Sequence, residues 1–510
     1  MNLFMLLEMA ADAAPDRVAV GSRVGGIGYG QLLDRAGAVA TRASQADCLA
    51  LLDLNGPAMP ALLFGAAAAG VPFAPLNYRQ TDAQLAAATD RLSPVLVVEG
   101  EPFAGRIRPR PGVAVSRIDD VAQGGPHTTQ RSVDPDAPAI LLFTSGTTGE
   151  PKAAVLRHRH ITSYIISTVE FASADVDEAA LISVPNYHIA GLSAVLSSVY
   201  AGRRVVQLPS FSAEEWVDLA VAESVTHAMV VPTMLGRILD VLDARDERLP
   251  ALRHLSYGGG RMPGSVVERA MRLLPHVGFV NAYGLTETSS TIAILGPDEH
   301  RAALAATTPE GRARLTSVGR PLPSVEVEVR SADGAVVEPG VAGEVFVRGE
   351  QVGGEYTSHS ALDDQGWYAT RDRGLLDSDG YLFLDGRADD VIVRGGENIS
   401  PGEVEEALVT HPDVEEAAVI GVADTEWGER VEAFVVPVAG KLLEVAELQS
   451  WVRERLRSTR VPDRFHQRSG LPYSETGKLL RRVLRDELDD PAAPSMREHV
   501  MRDTAIVEPR

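Results

Sequence analysis

The sequence LLFTSGTTGEPK, residues 141–152, joins an apolar run to a loop of threonine, serine and glycine that ends at Pro151 and Lys152. Glycine lets backbone N–H groups approach an anion closely, the hydroxyl groups add hydrogen-bond donors, and the lysine adds positive charge. The stretch does not align with the G-x-x-x-x-G-K-[ST] loop of kinases and ATPases. It predicts a phosphate-binding loop of another kind after a buried strand; the alternative is a Ser/Thr-rich hairpin without a ligand.

Short apolar runs recur on both sides of this loop, separated by segments long enough for helices. They read CLALLDL, SPVLVVEG, PAILLFTS, EAALISVP, RRVVQLP, HAMVVPT, LRHLSYGG and GFVNAYG. This alternation is typical of parallel strands with crossover helices. We therefore predict an α/β fold.

The pattern changes after residue 316. SVEVEVRSADGAVVEPGVAGEVFVRG alternates with period two and has turn signals at Asp333-Gly334 and Pro339-Gly340, which predicts antiparallel sheet. Beyond residue 386, a helix, two strands and a second helix predict a small α+β domain. We expect a large N-terminal domain, 1–386, made of parallel-sheet α/β subdomains with a small antiparallel β-barrel at 316–386. A small mobile C-terminal domain, 387–490, and a flexible tail, 491–510, would follow.

The composition disfavours several classes of protein. The 510 residues carry a formal net charge of −22, which argues against a nucleic-acid-binding protein. The single cysteine, Cys48, lies in an apolar run that predicts a buried strand. Because one cysteine cannot form an intrachain disulfide, the composition fits a reducing compartment. The longest apolar stretch, 61–76, is broken by Pro72 and Pro75 and falls short of the ~20 residues that span a membrane. The first residues, MNLFMLLEMAADAAPDRVAV, predict an amphipathic helix rather than a secretory signal, so we expect a cytoplasmic protein with no integral membrane segment.

Four further motifs follow the loop in order. They are LSYGGG at 255–260, NAYGLTETSS at 281–290, GWYATRDRGLLDSDGYLFLDGRADDVIVRGGENISP at 366–401 and LPYSETGKLL at 471–480. With LLFTSGTTGEPK, they resemble the adenylate-forming superfamily of acyl-CoA synthetases, firefly-type luciferases and peptide-synthetase adenylation domains. The resemblance extends from the N-terminal helix to Lys478 and is closest in character to the acyl-CoA synthetases.

The resemblance implies an ATP site and a magnesium ion. In that family, Thr286 would contact the adenylate phosphate, Glu287 would help hold Mg²⁺ with Thr148 as a second metal-binding residue, and Lys478 would bridge the attacking carboxylate and the α-phosphate. Asp372 would accept the ribose hydroxyls. The residues implied in nucleotide binding are Thr144, Ser145, Gly146, Thr147, Thr148, Gly149, Lys152, Gly258, Gly259, Gly260, Tyr283, Gly284, Asp372 and Arg387.

The resemblance also implies a moving C-terminal domain. Asp389 aligns with the hinge about which the small domain swings between two half-reactions, and Gly395 and Gly396 would line the path of coenzyme A. One departure is Arg371, which stands where the family has glycine. Because arginine tolerates positive φ poorly, this replacement puts the backbone beside Asp372 in question.

The segment VPNYHIAGLSAVL, 184–196, matches the part of the family that forms the acyl pocket. The candidate pocket residues are Asn186, Tyr187, His188 and Met234. His188 is the candidate catalytic gate; its alternative is a buried histidine with a satisfied hydrogen bond. The segment contains no acid to pair with a substrate ammonium, which favours a carboxylic acid without an α-amino group.

The leading hypothesis is an acid–thiol ligase that uses ATP, Mg²⁺ and coenzyme A to convert a small carboxylic acid into an acyl-CoA. The alternative is a freestanding enzyme that loads the acyl group onto a separate carrier protein, and a homodimer is left open. A non-catalytic nucleotide-binding regulator is disfavoured because Thr286, Glu287, Asp372 and Lys478 are all present. His158 and His160 form an H-x-H pair that lacks a third ligand, and we expect both to face solvent.

Overall fold

The computed structural model describes residues 1–122, 133–144, 152–387, 390–395, 397–425, 427–474 and 479–489. The chain divides into two compact units. The first consists of Met1–Val327 and Phe346–Ala369. The second consists of Glu328–Val345 and the described part of Thr370–Arg510.

The helices in chain order are α1 (Leu3–Ala13), α2 (Tyr29–Ala43), α3 (Ala58–Ala69), α4 (Asp82–Arg91), α5 (Ile118–Ala122), α6 (His158–Thr168), α7 (Ile189–Tyr200), α8 (Ala213–Ala222), α9 (Pro232–Arg245), α10 (Gly264–Leu273), α11 (Pro297–Ala305), α12 (Pro309–Ala313), α13 (Pro401–Val409), α14 (Val445–Arg453) and α15 (Arg481–Asp489).

The strands in chain order are β1 (Val18–Val20), β2 (Ile27–Gly28), β3 (Cys48–Leu52), β4 (Phe73–Pro75), β5 (Val95–Glu99), β6 (Val113–Arg117), β7 (Pro138–Thr144), β8 (Lys152–Arg157), β9 (Ala179–Ile182), β10 (Arg204–Gln207), β11 (His227–Val230), β12 (His254–Gly258), β13 (Gly278–Leu285), β14 (Ser290–Leu295), β15 (Arg320–Pro321), β16 (Glu326–Arg330), β17 (Gly343–Arg348), β18 (Glu355–Tyr356), β19 (His359–Ser360), β20 (Tyr368–Leu376), β21 (Leu382–Arg387), β22 (Ile392–Arg394), β23 (Glu397–Ile399), β24 (Val414–Asp424), β25 (Gly428–Pro437) and β26 (Arg464–Gln467).

One sheet of the first unit has the order β15-β14-β13-β12-β11-β9-β10-β1-β2. From β13 to β1, neighbouring strands pair in parallel. The interior strands are short apolar runs because helices cover a parallel sheet on both faces, which leaves few positions for polar side chains. β9, for example, is buried at all its positions.

A second sheet of this unit has the order β19-β18-β8-β7-β4-β3-β5-β6. The strands from β7 to β6 are parallel, whereas β7 and β8 form an antiparallel hairpin and β18 pairs with β8. Cys48 begins the fully buried β3, as the sequence predicted, and burial raises the pKa of its thiol to about 12. All eight apolar runs named from the sequence form strands of these two sheets, which confirms the α/β fold.

The antiparallel region also follows its prediction. β16, β17, β20 and β21 lie in that order in one sheet. Both predicted turns are present, with φ of +86° at Gly334 and +85° at Gly340. Glycine adopts this left-handed region without the steric cost that a Cβ would bring.

The second unit contains a further sheet in the order β23-β22-β25-β24, with β26 beside β25. Helix α13 begins with Ser400 as N-cap and Pro401 in its first turn, as predicted, because proline needs no hydrogen-bond acceptor there. The predicted tail, 491–510, lies outside the described residues.

The prediction that His158 and His160 face solvent was wrong. His158 is fully buried and its Nδ1 accepts a hydrogen bond from Leu3 N at 3.2 Å. His160 is 2% exposed, and its Nδ1 accepts from Arg157 N at 3.3 Å, which caps α6. Burial lowers the pKa of each imidazole to about 4. Two histidines two residues apart give no amphipathic pattern from which burial could be predicted. His158 is buried because α1 packs against α6, a contact between distant segments of the chain.

The described helices include none that combines the length and apolar character needed to cross a membrane.

Candidate active site

Four predicted segments meet at one edge of the first sheet. They follow the carboxyl ends of four strands that are neighbours in the order β13-β12-β11-β9. After β9 come Asn186, Tyr187 and His188; after β11 comes Met234; at the end of β12 come Gly258, Gly259 and Gly260; and within and after β13 come Tyr283, Gly284, Thr286 and Glu287. Ligands of open α/β sheets bind outside the carboxyl ends of the strands, so this edge is the expected place for a site.

The phosphate-loop hairpin is fixed at its base. Thr144 ends β7 and lies opposite Lys152, which begins β8. The Thr144 hydroxyl donates to the Lys152 carbonyl oxygen at 3.4 Å. Ser145, Gly146, Thr147, Thr148 and Gly149 lie outside the described residues, so their contact with phosphate stays a prediction.

Glu287 sits in a 3₁₀ turn, Thr286–Thr288, directly after β13. Its carbonyl oxygen accepts hydrogen bonds from Gly353 N at 2.9 Å and Gly354 N at 3.0 Å. Thr288 closes the turn because its hydroxyl oxygen accepts from Leu285 N at 3.0 Å. The backbone of Glu287 is therefore held on two sides.

The Glu287 side chain is only 8% exposed and has a partner that the sequence did not indicate. The hydroxyl of Tyr356 donates to Glu287 Oε1 at 2.6 Å. Burial, followed by the nearby Glu287 charge, raises the pKa of the Tyr356 phenol, so this group remains a donor. Tyr356 belongs to β18 and pairs with Ala154 of β8, which places Lys152 Nζ 6.0 Å from the centre of its ring. No spacing in the sequence could have revealed this contact, since it depends on the pairing of β18 with β8.

The backbone after Glu287 is strained. Ser289 and Ser290 have φ of +56° and +106°, which non-glycine residues rarely adopt. The fully buried Gln351 holds this stretch: its side-chain amide donates to the carbonyl oxygens of Thr288 at 3.2 Å and Thr291 at 2.7 Å. Strain of this kind persists only where surrounding contacts over-determine it, and it concentrates at functional sites.

Two of the predicted glycines are needed for close backbone approach. A Cβ on Gly284 would lie 1.8 Å from Ser290 O, and one on Gly258 would lie 2.2 Å from Ala282 O. Both clashes are with neighbouring strands of the protein. Their glycine character is thus explained by strand packing, without invoking a flat ligand.

The acyl-pocket candidates divide into two groups. Asn186 is 1% exposed and its side-chain amide donates to Asp53 O at 3.2 Å and Leu54 O at 3.4 Å, so it links this segment to the end of β3. His188 forms the N-cap of α7, and its ring lies 4.6 Å from that of Tyr187. Met234 lies in the first turn of α9 and is 6% exposed. The side chain of Asn186 is therefore used in a hydrogen bond to the backbone, whereas His188 is half-buried at the start of α7.

In the second unit, Asp372 and Arg387 lie directly opposite each other on β20 and β21. Arg387 Nη1 donates to Asp372 Oδ1 and to Thr370 O, each at 2.9 Å. Arg371 has a φ of +62°, the left-handed conformation that glycine would adopt there without strain. Arginine in place of the family's glycine at position 371 therefore leaves the Asp372–Arg387 pair intact. The cost is steric strain in the backbone of Arg371.

The predicted coenzyme A segment is described in part. Gly395 has a φ of +57° and its N–H donates to Trp427 O at 2.8 Å. Trp427 is 48% exposed, which is unusual for so large an apolar side chain. Asp389, Gly396 and Lys478 lie outside the described residues.

The described residues on either side of positions 475–478 are held in place by hydrogen bonds. Leu480 N donates to Pro472 O at 2.8 Å, and Tyr473 pairs with Leu479. Arg481 Nη2 then donates to both carboxylate oxygens of Glu405, at 2.6 and 2.7 Å. The described residues before 475 and after 478 are therefore anchored within the second unit.

A bound Mg²⁺ ion would fit the donor set of the first unit. In the described part of the chain, no three histidine, cysteine, aspartate or glutamate side chains cluster to hold a metal ion. Mg²⁺ characteristically uses one or two carboxylates together with substrate phosphates and water, so a single buried carboxylate such as that of Glu287 suits it.

Comparison with known protein families agrees with this geometry. Residues 7–357 match the family described as AMP-binding enzyme, and residues 403–478 match the AMP-binding enzyme C-terminal domain. The chain belongs to the AMP-binding enzyme family. It is an adenylate-forming enzyme of the acyl-CoA synthetase type, an acid–thiol ligase, as the sequence predicted.

Individual relatives cover nearly the whole chain. A 2-succinylbenzoate–CoA ligase of Bacillus licheniformis is 34% identical over 94% of this chain and 98% of its own length. A fatty acid–acyl-carrier-protein ligase, ScoC of Streptomyces coeruleorubidus, is 33% identical over 83% of each chain. The solved structure of the o-succinylbenzoate CoA synthetase of Bacillus subtilis with its acyl-adenylate intermediate superimposes with a TM-score of 0.81, at 29% identity, over 95% of this chain and 98% of that one.

Proposed function

We propose that the enzyme activates a carboxylic acid without an α-amino group and transfers the acyl group to coenzyme A. The carboxylate would attack the α-phosphorus of ATP, forming the acyl-adenylate and releasing pyrophosphate. The thiol of coenzyme A would then attack the acyl carbon and release AMP. The observation that carries the proposal is the convergence of Lys152, at the base of the phosphate loop, with Glu287 around Tyr356.

The residue roles in the first step follow from this convergence and from the family resemblance. Residues 144–149 and Lys152 would hold the phosphates through backbone N–H groups, hydroxyls and positive charge. Glu287, with Thr148, would hold Mg²⁺, which offsets the negative charge of the phosphates when bound. Thr286 would contact the α-phosphate, and Lys478 would stabilise the charge that develops during attack.

The nucleoside and the acid would use the remaining candidates. Tyr283 and the glycines at 258–260 would flank the adenine, and Asp372, held by Arg387, would accept the ribose hydroxyls. Tyr187, His188 and Met234 would line the acyl pocket. Residues 184–196 contain no acid, and leaving a substrate ammonium there without a partner would be unfavourable.

We further propose that residues 1–386 and 387–490 act as two domains joined at Asp389, with the smaller one serving each step in a different orientation. Lys478 would then serve only adenylation, and Gly395 and Gly396 only thioester formation. The exposed Trp427 beside Gly395 supports an acceptor site on this domain, because an exposed indole offers an apolar surface for binding.

The test separates the two half-reactions. Lys478→Ala is expected to lower acyl-adenylate formation by roughly two to three powers of ten, the usual effect of removing a preorganised electrostatic contact. Given synthetic acyl-adenylate and coenzyme A, the same variant should form thioester at nearly the native rate. Gly396→Trp should show the opposite pattern. Equal losses in both half-reactions by folded Lys478→Ala would refute the two-orientation scheme.

The second candidate function is the loading of a separate carrier protein, which the similarity to the fatty acid–acyl-carrier-protein ligase favours. The enzyme would be given a panel of acids with ATP and either coenzyme A or a phosphopantetheinylated carrier. Pyrophosphate release identifies the acid, and the rate of thioester formation identifies the acceptor. Thioester formation with the carrier alone would replace coenzyme A in the proposal.

A further inference from the structure

The contact between Tyr356 and Glu287 has the geometry of a strong hydrogen bond. Its O···O distance is 2.6 Å, within the range of about 2.5–2.7 Å that is typical of hydroxyl donors to carboxylates. It acts on Oε1 alone, and the donor is a neutral group. The hydrogen bond therefore places no positive charge beside the carboxylate, and it does not involve Oε2.

Tyr356 is itself held in place by several contacts. Its backbone pairs with β8 at Ala154, and the ring of His359 stacks on it with centres 5.2 Å apart and planes 28° apart. The carbonyl oxygen of Glu287 also accepts hydrogen bonds from Gly353 N and Gly354 N, which lie just before Tyr356 in the chain. The segment 353–356 thus fixes both the backbone and the carboxylate of Glu287.

We propose that Tyr356 is a positioning residue for Glu287: its hydroxyl fixes one carboxylate oxygen so that the other is presented to Mg²⁺. This inference rests on the proposed role of Glu287. Carboxylates that bind metals are themselves hydrogen-bonded, and loss of such a partner typically lowers metal affinity by about 10- to 100-fold.

The contrary arrangement is a phenol that competes with the metal ion for Glu287. Removal of a competitor would strengthen Mg²⁺-dependent binding, whereas removal of a positioning donor weakens it. The sign of the change therefore separates the two arrangements, and a side chain that only packs would give no change in metal dependence.

The experiment measures binding rather than turnover. Tyr356→Phe keeps the ring, with its Lys152 and His359 contacts, and removes only the hydroxyl. Calorimetric titration with a non-hydrolysable ATP analogue is carried out in EDTA and at increasing Mg²⁺. We expect the metal-free affinity to stay within about twofold of native, while the Mg²⁺ concentration for half-maximal enhancement rises about tenfold. An unchanged or lower Mg²⁺ requirement would overturn the proposal.

Two controls locate any failure. Tyr164→Phe removes another partly buried hydroxyl of the same unit, one directed at Thr291 Oγ1 at 3.4 Å, and should leave the Mg²⁺ titration unchanged. Glu287→Gln tests the underlying role. If Glu287→Gln shifts the Mg²⁺ requirement and Tyr356→Phe does not, the positioning role alone is wrong. If Glu287→Gln has no effect, the proposed metal site is wrong as well.

Folding is monitored by thermal melting of each variant. If Tyr356→Phe does not fold, Tyr356→Met replaces it, because methionine fills the volume of the ring flexibly and carries no hydroxyl donor. The same rise in Mg²⁺ requirement is expected, and the same unchanged requirement would refute the proposal.

Discussion

Glu287 in the first unit and Asp372 in the second are two carboxylates with the same exposure, 8%, and different partners. Glu287 accepts a hydrogen bond from a neutral phenol, Tyr356, at 2.6 Å. Asp372 accepts one from a guanidinium, Arg387, at 2.9 Å. A neutral donor orients a carboxylate without cancelling its charge, whereas a cation largely neutralises it.

This difference matches the chemistry proposed for each group. A magnesium ligand must retain negative charge, because the attraction to a divalent cation is electrostatic. A ribose ligand needs only lone pairs in a fixed position to accept hydroxyl donors, and a paired aspartate supplies them. The structure thus suggests separate tasks for two carboxylates that the sequence marks only by motif.

The largest expected effect comes from removing charge at each site. Glu287→Gln should lower acyl-adenylate formation by roughly two to three powers of ten and raise the Mg²⁺ concentration that the reaction requires. Asp372→Asn should weaken nucleotide binding but leave the Mg²⁺ dependence native. Initial rates of pyrophosphate release across a grid of ATP and Mg²⁺ concentrations distinguish the two. A shifted Mg²⁺ requirement in Asp372→Asn would remove the functional difference between the carboxylates.

A smaller effect is expected on stability when the cation is removed. Arg387→Met leaves Asp372 largely buried without its guanidinium. Breaking a buried pair costs about 3–5 kcal/mol, and the partial exposure of Arg387 should reduce this to about 1–3 kcal/mol of unfolding free energy. Urea unfolding of the full chain measures the change.

The double variant Asp372→Asn/Arg387→Met provides the control for that result. It should be more stable than Arg387→Met alone, because no uncompensated charge remains. Tyr356→Phe, which removes a neutral donor through a shorter contact, should cost a similar amount, about 1–3 kcal/mol of unfolding free energy. If the double variant is less stable than Arg387→Met, the loss does not come from an unpaired Asp372.

The smallest effect concerns the strained residue beside Asp372. Arg371 is exposed and has a φ of +62°, a conformation that costs an L-residue roughly 1–2 kcal/mol. Arg371→Gly relieves this strain but adds conformational freedom to the unfolded chain, which offsets about 0.4–1 kcal/mol. We expect a net stabilisation of up to about 1 kcal/mol, with unchanged turnover. A lower melting temperature would mean that the arginine side chain contributes more than the strain costs.

Arg373→Gly is the matched comparison for Arg371→Gly. Arg373 is two residues further along the same strand and is absent from the residues with positive φ. Glycine there brings no relief of strain and should destabilise the protein by about 0.5–1 kcal/mol. Opposite signs at the two positions would confirm the strain at Arg371.

The sequence predicted local features well because they depend on neighbouring residues. The strand before the phosphate loop ends at Thr144, the Asp333-Gly334 turn forms, and α13 begins after Ser400. Each follows from the period of apolar residues or from the restricted backbone of glycine and proline. The motif resemblance likewise identified Glu287 and Asp372, which the structure places after β13 and on β20.

The sequence alone therefore determined the α/β architecture and the family, and it supplied the candidate residues for binding ATP. Only the tertiary structure decided which neighbours those residues have. Tyr356 reaches Glu287 across 69 residues of chain because β18 pairs with β8, and His158 is buried because α1 packs against α6. Local propensity and periodicity are encoded over a few residues, whereas the partners of a buried polar group are set by strand pairing and packing between distant segments. This is why a sequence can indicate a candidate metal-binding carboxylate and still leave its hydrogen-bond partner unknown.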